Sequence, residues 1–313
     1  MLDRVKFYIR GLRGMHKYLV GRKGELPGLN YIAGELLRNT HSIEKGLSIS
    51  RPRLGFGHNK QDEMMEQIRI LYKSESSYHR EVCVMALNAI NEYLLYHKSK
   101  LYEDDFCNKL NCFLEDYAEV LEEKIGGTVV FEKKDICFKI PEIENFFLTR
   151  HSIRNFDDKN IDVAKLKKAL YLAQRAPSAC NRQGVRTYVL SENTSKMFVK
   201  ELEGVGGFAE DVKQYILVTG KTSSYRIEEQ EQYIVSASMY AAYLTLTLHL
   251  YGLGACVIQR SVIWSNSWEK TRKKLGIESD EQIICLLAVG NLKESCVVPL
   301  SHRMKNEEMI RFL

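Results

Sequence analysis

The eight cysteines of this 313-residue chain include no CxxC pair, and no histidine stands at metal-ligand spacing from any of them. That pattern argues against a zinc site and against a disulfide framework. Most of the cysteines lie among apolar residues, as Cys285 does in Ile283-Ile284-Cys285-Leu286. They read as core positions in a reducing, cytoplasmic compartment. Apolar residues never run long enough to cross a membrane, which takes roughly 20 in a row. The most apolar stretch, Tyr233–Leu250, is interrupted by Ser236, Ser238, Thr245, Thr247 and His249 and reads as a buried helix. A secretory leader is not expected, because Arg4, Lys6, Arg10 and Arg13 break up the first residues. Positive charge is not concentrated either. The net charge of +5 is spread along the chain and suits a small anionic partner better than a nucleic acid. The basic residues from Arg4 to Lys23 are interleaved with Tyr and Leu and read as a solvated face. Proline is scarce, and Pro177 is the only one between Pro141 and Pro299. No repeat or low-complexity segment occurs.

With 45% hydrophobic and 27% charged residues the chain has the composition of a folded protein, long enough for two domains or for one with a large extension. From about residue 30 to 125 apolar residues recur at helical spacing. Met64, Met65, Ile68, Leu71 and Tyr72 form one stripe, and Val82, Ala86, Ala89, Ile90 and Tyr93 a second. Phe106, Leu110, Phe113, Leu114, Tyr117 and Leu121 form a third, with Gly126-Gly127 as its stop. Thr128–Phe131 reads as a short strand and Glu132–Asn145 as a connector. Beyond it strands and helices mix. Helices are expected at Ile161–Gln174, capped by Asp162, at Glu228–Tyr251 and at Ser267–Leu275. Strands are expected at Val185–Leu190, Gln214–Thr219, Gly254–Ile258 and Ile283–Val289. The order predicts an α+β fold with a small sheet. A helical region, residues 1–145, precedes it, and the α+β domain takes residues 146–313.

Two motifs carry the chemistry. Arg150-His151-Ser152-Ile153-Arg154-Asn155-Phe156 places two guanidinium groups and a hydroxyl within five residues, a compact donor set for a phosphate or another oxygen-rich anion. Ala176-Pro177-Ser178-Ala179-Cys180-Asn181-Arg182-Gln183 is a loop of small and amide residues suited to pressing against a planar polar ligand. A helix-patterned segment joins them, so the motifs face either one pocket or two copies of it. Cys180 reads as a small, soft filler in the loop.

Together the motifs resemble the paired signatures of the nitroreductase family, flavin (FMN) enzymes that work as dimers. The resemblance covers about residues 146–313. It implies a small, mainly antiparallel sheet flanked by helices. Arg150, His151, Ser152 and Arg154 match the family's opening run position by position. The resemblance assigns Arg150 and Ser152 to the FMN phosphate and ribityl oxygens, and Arg154 to the N1/O2 edge, where a permanent cation favours the reduced ring. Pro177, Ser178, Ala179, Asn181 and Gln183 match the loop that reaches the FMN of the partner subunit. Gly184 and Val185 replace the usual proline and aromatic. Gly252–Arg260 resembles the segment facing flavin N5. Val257, Ile258 and Gln259 would line one flavin face, with Gln259 or Arg260 supplying an amide, although many relatives carry an acidic residue and glycine there. Ser301 and Arg303 match a site near the phosphate. Little chain follows Arg303 for the C-terminal arm of some relatives, which implies a less interwoven homodimer.

The resemblance implies electron transfer from NAD(P)H through FMN to a small nitro, quinone or enone acceptor in ping-pong fashion, with the flavin N5 rather than a catalytic side chain carrying the chemistry. Two other readings stand beside it: a dedicated biosynthetic flavin oxidase, dehydrogenase or reductase acting on a larger or carrier-bound substrate, and a non-catalytic flavin-binding interaction protein. The N-terminal signature His41-Ser42-Ile43-Glu44-Lys45-Gly46-Leu47, followed by Arg51–Gly57, also has two readings. His41, Glu44 and Lys45 could meet a substrate from a lid, or the run is a helix with a glycine stop and a tight loop, the reading preferred here.

Overall fold

A computed structural model of the chain describes residues 11–12, 28–121, 124–199, 207–209, 212–259 and 272–313. Four helices come first: α1 (Leu29–Ser48), α2 (His58–Leu71), α3 (Ser77–Ser99) and α4 (Asp105–Glu115). The predicted stripes become their common core. Leu36, Ile43, Met64, Ile68, Leu71, Leu87, Ile90, Tyr93 and Leu110 are all fully buried there. Asp104 caps α4 by accepting a hydrogen bond from the Cys107 amide.

Three expectations for this region change. Gly46 is not a stop. It lies inside α1, where a Cβ would come within 2.3 Å of the Phe56 ring, so it is a point of close packing. The last helix ends at Glu115 with a 3-10 turn at Ala118–Val120, well before Gly126. Thr128–Phe131 forms no strand, and Val129, Val130 and Phe131 are exposed with no neighbouring strand to pair with. The basic run Arg4–Lys23 lies almost wholly outside the described residues, as does most of the helix expected at Ser267–Leu275.

Helix α5 (Ile140–Thr149) occupies the end of the expected connector and leads into α6 (Val163–Ala173), α7 (Glu192–Val199) and the long α8 (Gln232–Leu250). Asp162 caps α6 as predicted. Strands β1 (Val185–Val189), β2 (Gln214–Lys221), β3 (Leu253–Ile258) and β4 (Glu281–Asn291) form one antiparallel sheet in the order β1-β2-β4-β3. Helix α7 was not anticipated, because Glu192–Val199 has a short and broken apolar pattern.

The strands alternate, and each face of the sheet builds a core. On β2, Ile216 and Val218 face α6 and α8, while Tyr215 and Leu217 join Ile153, Phe156 and Ile258 on the other side. Helix α8 corrects the expectation of full burial. Ser236, Ala237, Tyr240, Ala241, Leu244 and Leu248 face inward, but Val235, Met239 and Tyr243 form an exposed row four residues apart. On α5, Ile140, Ile143, Phe147 and Leu148 are exposed as well.

The helical region is seated directly on the sheet domain. Gly34 of α1 lies against Ser224, where a Cβ would come 2.8 Å from the Ser224 carbonyl oxygen. A polar seam runs beside this contact. Asn30 donates to Glu278 at 3.2 Å, and Glu278 pairs at 2.6 Å with the buried Lys221 ammonium. Replacing Gly34 with Ala forces α1 off the sheet domain. Overpacking of this kind costs about 1–3 kcal/mol, and a urea melt of Gly34→Ala is expected to show that loss.

Candidate functional site

At Arg150 the chain leaves α5 and becomes extended, with φ −74° and ψ 115°. Ser152 bridges to Ala255 of β3, and the Ile153 amide donates to the Ala255 carbonyl at 3.0 Å. Alternation along an extended backbone puts Arg150, Ser152 and Arg154 on the same side, while the neighbouring Ile153 is buried. Arg150 is half-buried and Arg154 exposed, its Nη1 3.4 Å from the Ser152 carbonyl. Arg150 and His151 line a cleft of about 40 Å³ with Thr245 and His249 of α8 and with Gly254 and Ala255 of β3. Sequence reasoning missed His249, which only the fold of α8 brings to this motif. Its ring Nε2 lies 3.0 Å from the Thr149 hydroxyl. Burial, and then the charge of Arg150, push its pKa down, so at neutral pH the arginine supplies the cation here and the imidazole is neutral.

The second motif lies elsewhere. Pro177, Ser178 and Gln183 line a cavity of about 430 Å³ together with Gly184, Val185, Arg186 and Thr187 and with Ser236 and Tyr240 of α8. Its opposite wall comes from the helical region: Leu37 of α1 and Tyr78, Glu81, Val82 and Met85 of α3. Of these five only Val82 was named in the sequence, as part of a helical stripe, and none was read as a site residue. The Arg186 guanidinium lies over the Tyr78 ring, 4.9 Å from its centroid. The two motifs therefore do not share a cavity within one chain. They sit towards opposite ends of α8, whose residues 236 and 249 are about 20 Å apart at 1.5 Å rise per residue.

The remaining predicted residues divide. Val257 and Gln259 are exposed on β3 and just beyond it, but the Ile258 side chain points into the core, leaving only its backbone for a ligand. Arg260 lies outside the described residues. Ser301 and Arg303 are exposed on the C-terminal segment, and Arg303 donates to the Ser301 carbonyl. Ala179 and Asn181 are in the loop but do not line the cavity. His41, Glu44 and Lys45 do not line it either. Glu44 accepts a hydrogen bond from the Gly127 amide at 3.1 Å, and His41 Nδ1 lies 4.0 Å from Glu44 Oε2. Burial raises the Glu44 pKa and lowers that of His41. Among the described residues Glu278, Asp280 and Glu281 bring carboxylate oxygens within 4.8 Å of one another, and the Lys221 ammonium lies within ion-pair distance of Glu278 and Asp280.

One loop residue has a role that its neighbours hide. Arg182 is completely buried. It donates to both Glu229 carboxylate oxygens at 2.6 Å and lies 4.6 Å over the Tyr225 ring. Gly184 is pressed against the same tyrosine: a Cβ would meet the Tyr225 ring at 2.9 Å. The Arg182 hydrogen bonds hold the Glu229 pKa down at about 2, from an ordinary 4.5. A carboxylate lowered in the folded state stabilises the fold above its unfolded pKa. That contribution is lost as the pH falls from about 4.5 towards 2. Glu229→Gln should accordingly show a smaller drop in urea midpoint than the parent between about pH 6 and about pH 3.

Residues 148–230, a segment that spans both motifs, match the model of the nitroreductase family. No curated protein matches the chain. Among solved structures, the chain is similar to a nitroreductase in complex with FMN from Desulfovibrio desulfuricans (19% identity, 55% of this chain and 96% of that one, TM-score 0.48). It is also similar to an FMN-dependent nitroreductase from Clostridium difficile (24% identity, 53% and 96%, TM-score 0.45). A third is a nitroreductase family protein from Streptococcus pneumoniae (20% identity, 55% and 100%, TM-score 0.45). The likeness to the nitroreductase family therefore lies in residues 148–230, the segment that carries both motifs.

Proposed function

We propose that the protein is an FMN-dependent oxidoreductase, that residues 146–313 form its flavin-binding domain, and that two copies of the chain complete each flavin site. The observation that carries this reading is the placement of the two motifs on separate cavities towards opposite ends of α8. A cleft of about 40 Å³ is too small to enclose a flavin, since ligand pockets run from about 300 Å³ upward. It is well suited to the phosphate end alone. Arg150 offers a charged donor there, Ser152 adds a hydroxyl from the adjoining backbone, and among the described residues no carboxylate lines the cleft to repel an anion. A second copy would then bring its own Pro177–Gln183 loop over the ring.

The exposed surface favours such a partner. Val235, Met239 and Tyr243 on α8, Phe147 and Leu148 on α5, and Leu300 and Phe312 near the C-terminus leave large apolar areas in solvent. FMN, when bound, supplies the electron-carrying ring between a nicotinamide donor and an organic acceptor. The chain's own residues do the rest. Arg150 and Ser152 hold the phosphate and ribityl end, Arg154 places a permanent cation by the N1/O2 edge, and Ser178, Asn181 and Gln183 orient the ring presented by the partner. The cavity of about 430 Å³ is where the helical region would meet the acceptor.

The deciding experiment is a visible spectrum of the purified protein with added FMN, followed by anaerobic NADH or NADPH. Bleaching of a bound flavin supports the reading, a flavin that stays oxidised limits it to a specialised substrate, and no flavin uptake removes it. Arg150→Ala should weaken FMN binding about tenfold to hundredfold, the roughly 1.5–3 kcal/mol of a charge-assisted hydrogen bond, measured by quenching of flavin fluorescence. In redox titrations Arg154→Ala should shift the flavin potential downward while changing affinity less.

A further inference from the structure

The loop from Ser178 to Gln183 has an unfavourable backbone. Cys180, Asn181 and Gln183 adopt left-handed conformations, with φ of 52°, 51° and 47°. Residues with a Cβ rarely do so, and three within four positions persist only where the surroundings over-determine them. Arg182, between them, has an ordinary φ of −71° and is the residue that ties the loop down. Its Nε donates to the Ala179 carbonyl at 3.1 Å, across the turn, and its Nη1 to the Ser224 carbonyl at 3.4 Å. Both outer nitrogens engage Glu229.

The ties continue away from the loop. Glu229 Oε2 also accepts from the Arg226 amide at 3.1 Å, which fixes the short turn Ile227–Glu229 that carries it. The Arg226 side chain leaves that turn and forks onto Glu35 of α1, with Nε 3.0 Å from each carboxylate oxygen. Glu35 is nearly buried and is held from its other side by Arg38, whose Nη2 lies 2.9 Å away. One turn of chain joins the two clusters, so charges alternate from loop to helix: Arg182, Glu229, Arg226, Glu35, Arg38. The Ser224 carbonyl, an acceptor for Arg182, is also the atom against which Gly34 of α1 is pressed. Helix α1 therefore meets the supports of the loop at two points, one ionic and one steric.

We propose that the helical region sets the shape of the Ser178–Gln183 loop through this ladder, with Arg182 as the positioning residue and Glu35 of α1 as its remote anchor. The left-handed residues are kept in place because Arg182 is pinned, and Arg182 is pinned because the turn carrying Glu229 is fastened to α1. The ordering of the loop is independent of its ligand. Its consequence for flavin rests on the reading proposed above. On that reading the helical region is part of the flavin site's architecture in each protomer, and Gly184 belongs with it, since a larger residue there would displace Tyr225 from Arg182.

The test uses the full chain and a residue far from the loop. Arg226 is 44% exposed, so Arg226→Gln removes the link while sparing the cores. Amide hydrogen exchange without FMN should be about tenfold faster in that variant at Asn181, Arg182 and Gln183, whose amides bond within the loop, and unchanged in β2, β4 and α3. Arg226→Lys, which keeps the charge but not the fork onto both Glu35 oxygens, should recover part of the protection, a recovery that mere loss of packing would not give. Wild-type exchange at those three amides in Arg226→Gln would overturn the proposal. So would an equal acceleration in the sheet, which would mean general destabilisation. If the parent protein binds FMN, its affinity should fall about three- to tenfold in Arg226→Gln and return in part in Arg226→Lys, and unchanged affinity beside a loosened loop would overturn the flavin part. A parent that takes up no FMN would remove the flavoenzyme reading, while the exchange comparison would still decide the ladder.

Discussion

A guanidinium with no exposed surface must have a carboxylate, because an unpaired buried charge costs several kcal/mol, about 3–5 when one partner of such a pair is removed. Arg182 meets that requirement with Glu229, and much of the arrangement around the second motif follows from it. Glu229 must sit on a short turn that reaches under the loop. Tyr225, two residues before that turn begins, covers the face of the guanidinium. The space beside Tyr225 admits glycine and no Cβ, which gives a physical reason for Gly184. The left-handed backbone of Cys180, Asn181 and Gln183 is the geometry that results.

Helix α8 organises the rest. Its inner face completes one core of the sheet domain, and its two halves contribute to different cavities: Ser236 and Tyr240 to the larger one, Thr245 and His249 to the cleft at Arg150. A helix apolar on nearly every side is under-buried in a single chain, and the row Val235, Met239 and Tyr243 shows that state. Under the proposed reading, a second copy would cover this row and join each cleft to a loop. One surface would then satisfy both a packing requirement and a binding requirement.

The helical region is more than an appendage in this geometry. Leu37, Tyr78, Val82 and Met85 form a wall of the larger cavity, and Gly34 and Glu35 meet the turn that supports the loop. Lys221, buried at the end of β2, and Asn30, at the start of α1, join the same seam through Glu278. The acceptor space of the proposed enzyme would accordingly be shaped by residues that lie outside the segment matched to the family, residues 148–230.

Much of the fold was legible in the sequence, because it depends on local periodicity. The stripes at Met64–Tyr72 and Val82–Tyr93, the Asp162 cap and all four strands follow from spacings of 3.6 and 2 residues, and these survive into the structure. The two motifs stood out in the sequence too, and both lie in the segment that matches the family model, residues 148–230. What local pattern cannot carry is the identity of a neighbour distant in the chain. Gly46 looked like a helix stop until Phe56 was seen against it, and Thr128–Phe131 had the composition of a strand but no strand beside it. Arg182 stood in the second motif with no role of its own, and His249 looked like a polar break in an apolar helix. By itself the sequence determined most of the elements and the sheet's alternation, because each of these is specified by residues within a few positions of one another. Only the tertiary structure decided that the motifs line separate cavities, that α3 walls one of them and that a buried arginine holds the loop. Those outcomes depend on long-range packing and on pairing of buried charge, and no local spacing encodes either.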